Sequence, residues 1–111
     1  MQIEIKKEQE FDCIFLNGDL DFNTSPLLRK ELSKLTESVI KKLMIDLEKV
    51  NYIDSSGLAT FIELFQKIKK SGGKLVLFSL KPSVRSVFEI AKLDSIFHLA
   101  ESHQAAVALI S

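Results

Sequence analysis

A single cysteine, Cys13, leaves no partner for an internal disulfide, so this chain of 111 residues has to be held together by its core. Tryptophan is absent, proline occurs twice and glycine four times, which leaves no Pro/Gly-rich linker and no low-complexity tract; no internal repeat is visible either. No apolar run approaches the roughly 18 residues of a membrane span. The first seven residues, Met1-Gln2-Ile3-Glu4-Ile5-Lys6-Lys7, alternate charged and apolar side chains instead of forming a signal core. Net charge is lacking too: fifteen basic and fifteen acidic side chains cancel, so no global field draws the protein to nucleic acid or to an anionic membrane. Partners are then read by shape and local charge. What is abundant is hydrophobicity, at 46%, enough for one domain over residues 1–111 with a real core. A buried, inert Cys13 and the absence of a leader lead us to expect a cytoplasmic protein without membrane insertion or direct nucleic-acid contact.

Periodicity divides the chain into alternating strands and helices. Ile3 and Ile5 mark a first strand and Phe11 to Leu16 a second, close enough for a hairpin. Asn17-Gly18-Asp19 breaks the pattern, and Ser25-Pro26 starts a helix with a cap and a first-turn proline, its buried face carrying Leu28, Leu32, Leu35 and Val39 over roughly 25 to 39. Leu43 to Leu47 marks a third strand ending near Val50 or Tyr52, followed by a helix that Gly72 or Gly73 closes with a left-handed cap. Lys74 to Phe78 is a fourth strand. Pro82 opens a helix with Val84, Val87, Phe88 and Ala91 inward, Ile96 to Leu99 is a short edge strand, and Ala105 to Ile110 a last helix. Strands separated by helices need crossovers. The expected class is therefore α/β: a mixed sheet of four to five strands, antiparallel at the opening hairpin, flanked by about four helices.

The densest local signal is Asp54-Ser55-Ser56-Gly57-Leu58, between the third strand and the second helix. Leu58, Phe61, Ile62, Phe65 and Ile68 recur at helical spacing with Leu64 on the flank, so the helix starts near Ser55 or Ser56. At about 100° per residue, Ser56, Thr60, Glu63 and Lys67 project away from that stripe, and Ser56 is expected to face solvent. The free N–H groups and dipole of a helix start favour a nearby anion by about 0.3 to 1 kcal/mol. Local physics leaves two readings: Asp54 and the serines as caps with Gly57 easing a sharp turn, or a hydroxyl presented for phosphate.

Over nearly its whole length the chain resembles the bacterial anti-sigma-factor antagonists, the free-standing STAS domains. The resemblance rests on Asn51-Tyr52-Ile53-Asp54-Ser55-Ser56-Gly57-Leu58 after the strand Leu43 to Leu47, on Leu16-Asn17-Gly18-Asp19-Leu20-Asp21 after the second strand, on the break Ser71-Gly72-Gly73, and on Pro82, Val84, Phe88 and Leu93. It implies that Ser56, the serine just before the glycine, is a phosphoacceptor. Asp19, Asp21, Asp54, Ser55, Ser56, Gly57, Ala59 and Thr60 would form the partner face, with Ser55 a cap or neighbour and Asp54 either ordering the turn or touching the partner. Ala59 departs from the second glycine of many members, adding a methyl beside that face. For Asp19 and Asp21 ordinary loop solvation remains the alternative. The implied partners are an anti-sigma factor that is itself a serine kinase, and a serine phosphatase. ATP and Mg²⁺ would belong to the kinase, and this chain would hold no cofactor and no metal.

Competing chemistries find weaker support. A hydrolase elbow requires Gly-x-Ser-x-Gly, but Asp54 and Leu58 flank Ser56 at those positions, and His98 and His103 have no set relation to it. One cysteine and two histidines five apart match no metal-ligand spacing. Ser71-Gly72-Gly73-Lys74 lacks the phosphate-loop frame and follows a helix instead of opening one. Lys41-Lys42 and Lys69-Lys70 are short solvated pairs. No enzyme is expected. The alternative role on the same fold is an unmodified STAS scaffold or regulatory subunit of a signalling or lipid-transport assembly.

Overall fold

Apolar segments rich in Ile, Leu and Val pair into a five-stranded sheet in the computed structural model, which describes residues 1–8, 10–37 and 42–111. β1 (Gln2–Lys7) and β2 (Asp12–Asn17) form the antiparallel hairpin; β3 (Lys42–Lys49), β4 (Lys74–Phe78) and β5 (His98–Ala100) then add in chain order, each parallel to its predecessor. A parallel step needs a right-handed crossover, and a sheet that grows in one direction puts every crossover helix on one face. α1 (Ser25–Thr36), α2 (Ser55–Lys70) and α3 (Pro82–Ile90) accordingly share a single core with Ile14, Ile45 and Leu77, whereas α4 (His103–Ile110) covers Met44, Val76 and Phe78 on the other face. Burial on both sides explains why β3 and β4 read as nearly continuous apolar runs. β1, at the edge, keeps the alternation of a half-covered strand.

Phe61, Phe88 and Phe97 meet at the centre of the three-helix core, with ring centroids 6.3 Å apart for Phe61–Phe88 and 5.6 Å for the edge-on Phe88–Phe97 pair. Contacts of this kind add about 0.5–1.5 kcal/mol beyond the area they bury. Phe97 is recruited there from the segment expected to be an edge strand. The strand therefore begins two residues later, at His98, and ends at Ala100, leaving Ile96 half exposed.

Helix ends follow local chemistry. Ser25 is not the cap of α1 but its first residue, buried, with its hydroxyl donating to the Asp21 carbonyl at 2.7 Å. The preceding turn is organised by Asp21 instead, whose Oδ1 accepts from the N–H groups of Asn23 and Thr24. α1 ends at Thr36, and Val39 lies outside the described residues. α2 closes as expected on Gly72 at φ +77°: the Gly73 N–H reaches the Ile68 carbonyl and the Gly72 N–H that of Lys69, the paired bonds of a Schellman cap. α3 ends with the same two bonds, from Leu93 to Phe88 and from Lys92 to Glu89, but its left-handed residue is Lys92 at φ +60°. Ala91 is thereby carried to the surface as the cap residue and is not inward; Val84 and Phe88 bury α3.

Candidate functional site

The start of α2 is built against the turn that follows β2. Leu20 pairs with Ile53 in an isolated parallel bridge beyond the ends of β2 and β3: the Leu20 N–H donates to the Tyr52 carbonyl at 2.8 Å and the Asp54 N–H to the Leu20 carbonyl at 3.0 Å. This bridge brings the Asp19–Asp21 turn beside Asp54, residues that are more than thirty apart in sequence. Gly57 is what lets the helix approach so closely. A Cβ there would stand 2.8 Å from Cγ1 of Ile53, 3.0 Å from Cβ of Leu20 and 3.1 Å from the Leu20 carbonyl oxygen. The glycine serves close packing, and the sharp turn expected of it is not its role.

Asp54 is the cap. Its backbone is still extended (φ −112°, ψ −172°), and its Oδ1 accepts from the N–H of Ser56 at 2.9 Å and of Gly57 at 3.2 Å. Ser55, the other candidate for that position, is the first helical residue and is exposed. Two of the amides expected to be free for an anion, those of Ser56 and Gly57, are therefore already occupied by a carboxylate.

Two expectations about side-chain direction are corrected. Ser56 is half-buried instead of fully solvent-facing, and Thr60 is buried at 1% exposure. α2 is covered by the sheet beneath it and by α1 along its side, so the buried arc runs through Gly57, Thr60, Phe61, Leu64 and Ile68, while Ile62 and Phe65 sit at its margin. The Thr60 hydroxyl donates to the Ser56 carbonyl at 3.0 Å, which satisfies it inside the helix. Arg29 of α1 closes over this edge, with Nε donating to Glu63 at 2.8 Å and Nη2 to the Thr60 hydroxyl at 3.5 Å.

Of the remaining sequence candidates, Ala59 is exposed on the outward side of α2 and Asp19 is exposed in the turn; Asp21 is half-buried and committed to turn hydrogen bonds. Three neighbouring residues had escaped the sequence reading. Phe22 and Tyr52 are exposed at 70% and 53%, on the two segments that the Leu20–Ile53 bridge joins, and Arg29 links α1 to α2. An aromatic side chain between the polar Asp21 and Asn23 was the available signal for Phe22.

The other reactive side chains lie elsewhere. His103 packs edge-on against Phe78, 5.4 Å between centroids, on the α4 face across the sheet from α2. Cys13 is buried in that same cluster, where burial first, then the charges of Asp46 and Glu8, push its thiol up to about 12. It stays protonated at neutral pH. Among the described residues no helix is long and apolar enough to cross a membrane.

Comparison with known proteins agrees with this architecture. The STAS domain model matches residues 2–106. A Bordetella bronchiseptica protein named as an anti-sigma factor antagonist, BtrV, is 36% identical over 84% of this chain and 80% of its own. The anti-sigma-B factor antagonist of Bacillus subtilis is 30% identical over 96% of this chain and 97% of its own. Among solved structures, the Bacillus cell fate determinant SpoIIAA in its phosphorylated form superposes with a TM-score of 0.77 at 19% identity, covering 99% of this chain and all of the other. The sheet order, the helix start capped by Asp54 and these matches lead to one conclusion: the chain belongs to the STAS-domain family of anti-sigma factor antagonists.

Proposed function

We propose that this protein is a phosphorylation-controlled binding module whose unmodified form engages an anti-sigma factor that is also a serine kinase, so that a sigma factor is set free. The observation that carries the reading is the placement of Asp54-Ser55-Ser56 at a strand-to-helix junction pinned by Gly57 to the Leu20 turn. A hydroxyl held on a rigid element is one a kinase can find in a single geometry. Around it, Ser55, Ala59 and Asp19 are exposed, and Phe22 and Tyr52 offer aromatic area for a partner. Ser56 is the acceptor; Asp54 and Gly57 shape the face from beneath, and Thr60 supports it without touching the partner. ATP and Mg²⁺ belong to the kinase, a serine phosphatase restores the hydroxyl, and the setting is the cytoplasm.

Phosphate adds roughly 1.5 to 2 negative charges and a tetrahedral group to a surface that received a neutral hydroxyl. Like-charge contact and desolvation then oppose docking, and each 1.4 kcal/mol is about a tenfold loss of affinity. Incubation with the kinase partner and ATP/Mg²⁺, followed by mass-spectrometric mapping, should find one phosphate, on Ser56, retained in Ser55→Ala and absent in Ser56→Ala. Calorimetric titration of the phosphorylated protein should show affinity reduced by about two orders of magnitude or more with little change in melting temperature. Phosphate on Ser55 would overturn the assignment of the acceptor, and undiminished binding by the phosphorylated form would overturn the switch; no phosphate on either serine would point instead to an unmodified scaffold role.

A further inference from the structure

An anion attached to Ser56 meets an unwelcoming helix start. The Oδ1 of Asp54 already takes the N–H groups of Ser56 and Gly57, and its charge has the same sign as a phosphate. Compensation has to come from another element. Ser56, Thr60 and Glu63 follow one another at helical spacing along one side of α2, and Arg29 reaches across from α1 to the last two: Nε to Glu63 at 2.8 Å, Nη2 to the Thr60 hydroxyl at 3.5 Å. Thr60 in turn donates to the Ser56 carbonyl at 3.0 Å, so the guanidinium stands one helical turn from the serine. Residues four apart on a helix have Cβ atoms about 5–6 Å from each other, a distance an arginine covers by changing rotamer. The Arg29 and Glu63 side chains are 45% and 50% exposed, so their pairing is screened by water and readily exchanged. A phosphate, with more charge and paired oxygens that suit the guanidinium fork, is the stronger partner.

We propose that Arg29 is the internal counter-ion of phosphoserine at position 56: modification draws the guanidinium off Glu63 and onto the phosphate, bracing α1 against the start of α2. This rests on Ser56 being the modified residue. The partner face is then altered at three places at once, by the phosphate, by the displaced arginine and by an unpaired Glu63. The charged groups in play are Asp54 at the cap of α2, Glu63 and Lys67 on α2, Arg29 on α1, and Asp19 and Asp21 in the adjoining turn.

The test installs phosphoserine at position 56 during synthesis of the full chain and follows its second ionisation by ³¹P NMR at low salt. The midpoint for wild type should lie below that of Arg29→Gln by about half a pH unit or more, with Glu63→Gln at or below wild type and the exposed control Lys30→Gln unchanged. The Arg29 Nε–H resonance should move on phosphorylation, as it leaves Glu63. Coincident midpoints in wild type and Arg29→Gln, or a shift in Lys30→Gln as large as that in Arg29→Gln, would overturn the proposal. Because no kinase takes part, the titration decides the role of Arg29 whatever the mapping experiment finds about the acceptor.

Discussion

The hydroxyl of Thr60, buried between α1 and α2, donates to the carbonyl of Ser56 at 3.0 Å, which ties the candidate phosphoacceptor to the packing of the two helices. Thr60→Val keeps the shape and removes the bond. Stability should fall by about 0.5–1.5 kcal/mol, read from urea denaturation, while the variant remains a kinase substrate at Ser56. Complete loss of phosphorylation in a folded Thr60→Val would show that Thr60 is itself part of the partner contact.

Asp54 caps α2 through two amides, whereas Ser55 is exposed at the first helical position. Asp54→Ala should therefore cost about 0.5–2 kcal/mol and Asp54→Asn much less, because asparagine retains the accepting oxygen. Ser55→Ala should be close to neutral in the same melts. Equal losses in Asp54→Ala and Ser55→Ala would contradict the capping geometry.

Gly57 and Ala59 should respond to exchange in the same direction for different reasons. Gly57→Ala gains about 1 kcal/mol of helix propensity but drives a methyl against Ile53 and the Leu20 backbone, an overpacking cost of about 1–3 kcal/mol. It should destabilise on balance and perturb the amide resonances of Leu20 and Asp54. Ala59→Gly, on the exposed side, should lose about 0.8–1.0 kcal/mol from propensity alone and leave those resonances in place. Unperturbed Leu20 and Asp54 amides in Gly57→Ala would refute the close-approach argument.

Lys92 holds the left-handed position that ends α3, the place Gly72 holds in α2. A side chain in that conformation costs about 1–2 kcal/mol, partly offset by the greater freedom glycine has when unfolded. Lys92→Gly should stabilise the protein by about 0.5–1 kcal/mol, seen as a higher denaturation midpoint at unchanged slope. A lower midpoint would mean that the lysine side chain contributes a contact outweighing the strain.

The order and kind of every element were legible in the amino-acid sequence, because apolar periodicity of two or 3.6 residues reports which side of a segment is buried. β4 was read at its observed bounds, Lys74–Phe78, and the start of α2 was placed within a residue. The junction carrying Asp54 to Leu58 was equally plain, since capping residues there interrupt one period and begin another. Which of three successive capping residues takes the cap was not legible, because that depends on where the backbone turns from extended to helical. Tertiary structure alone decided the rest. A projection of α2 in isolation gives it one buried face, but the sheet and α1 cover it from two directions, which widens the buried arc to take in Thr60 and half of Ser56. The bridge from Leu20 to Ile53 and the reach of Arg29 to Glu63 join residues more than thirty apart, and such pairs leave no local periodicity to read.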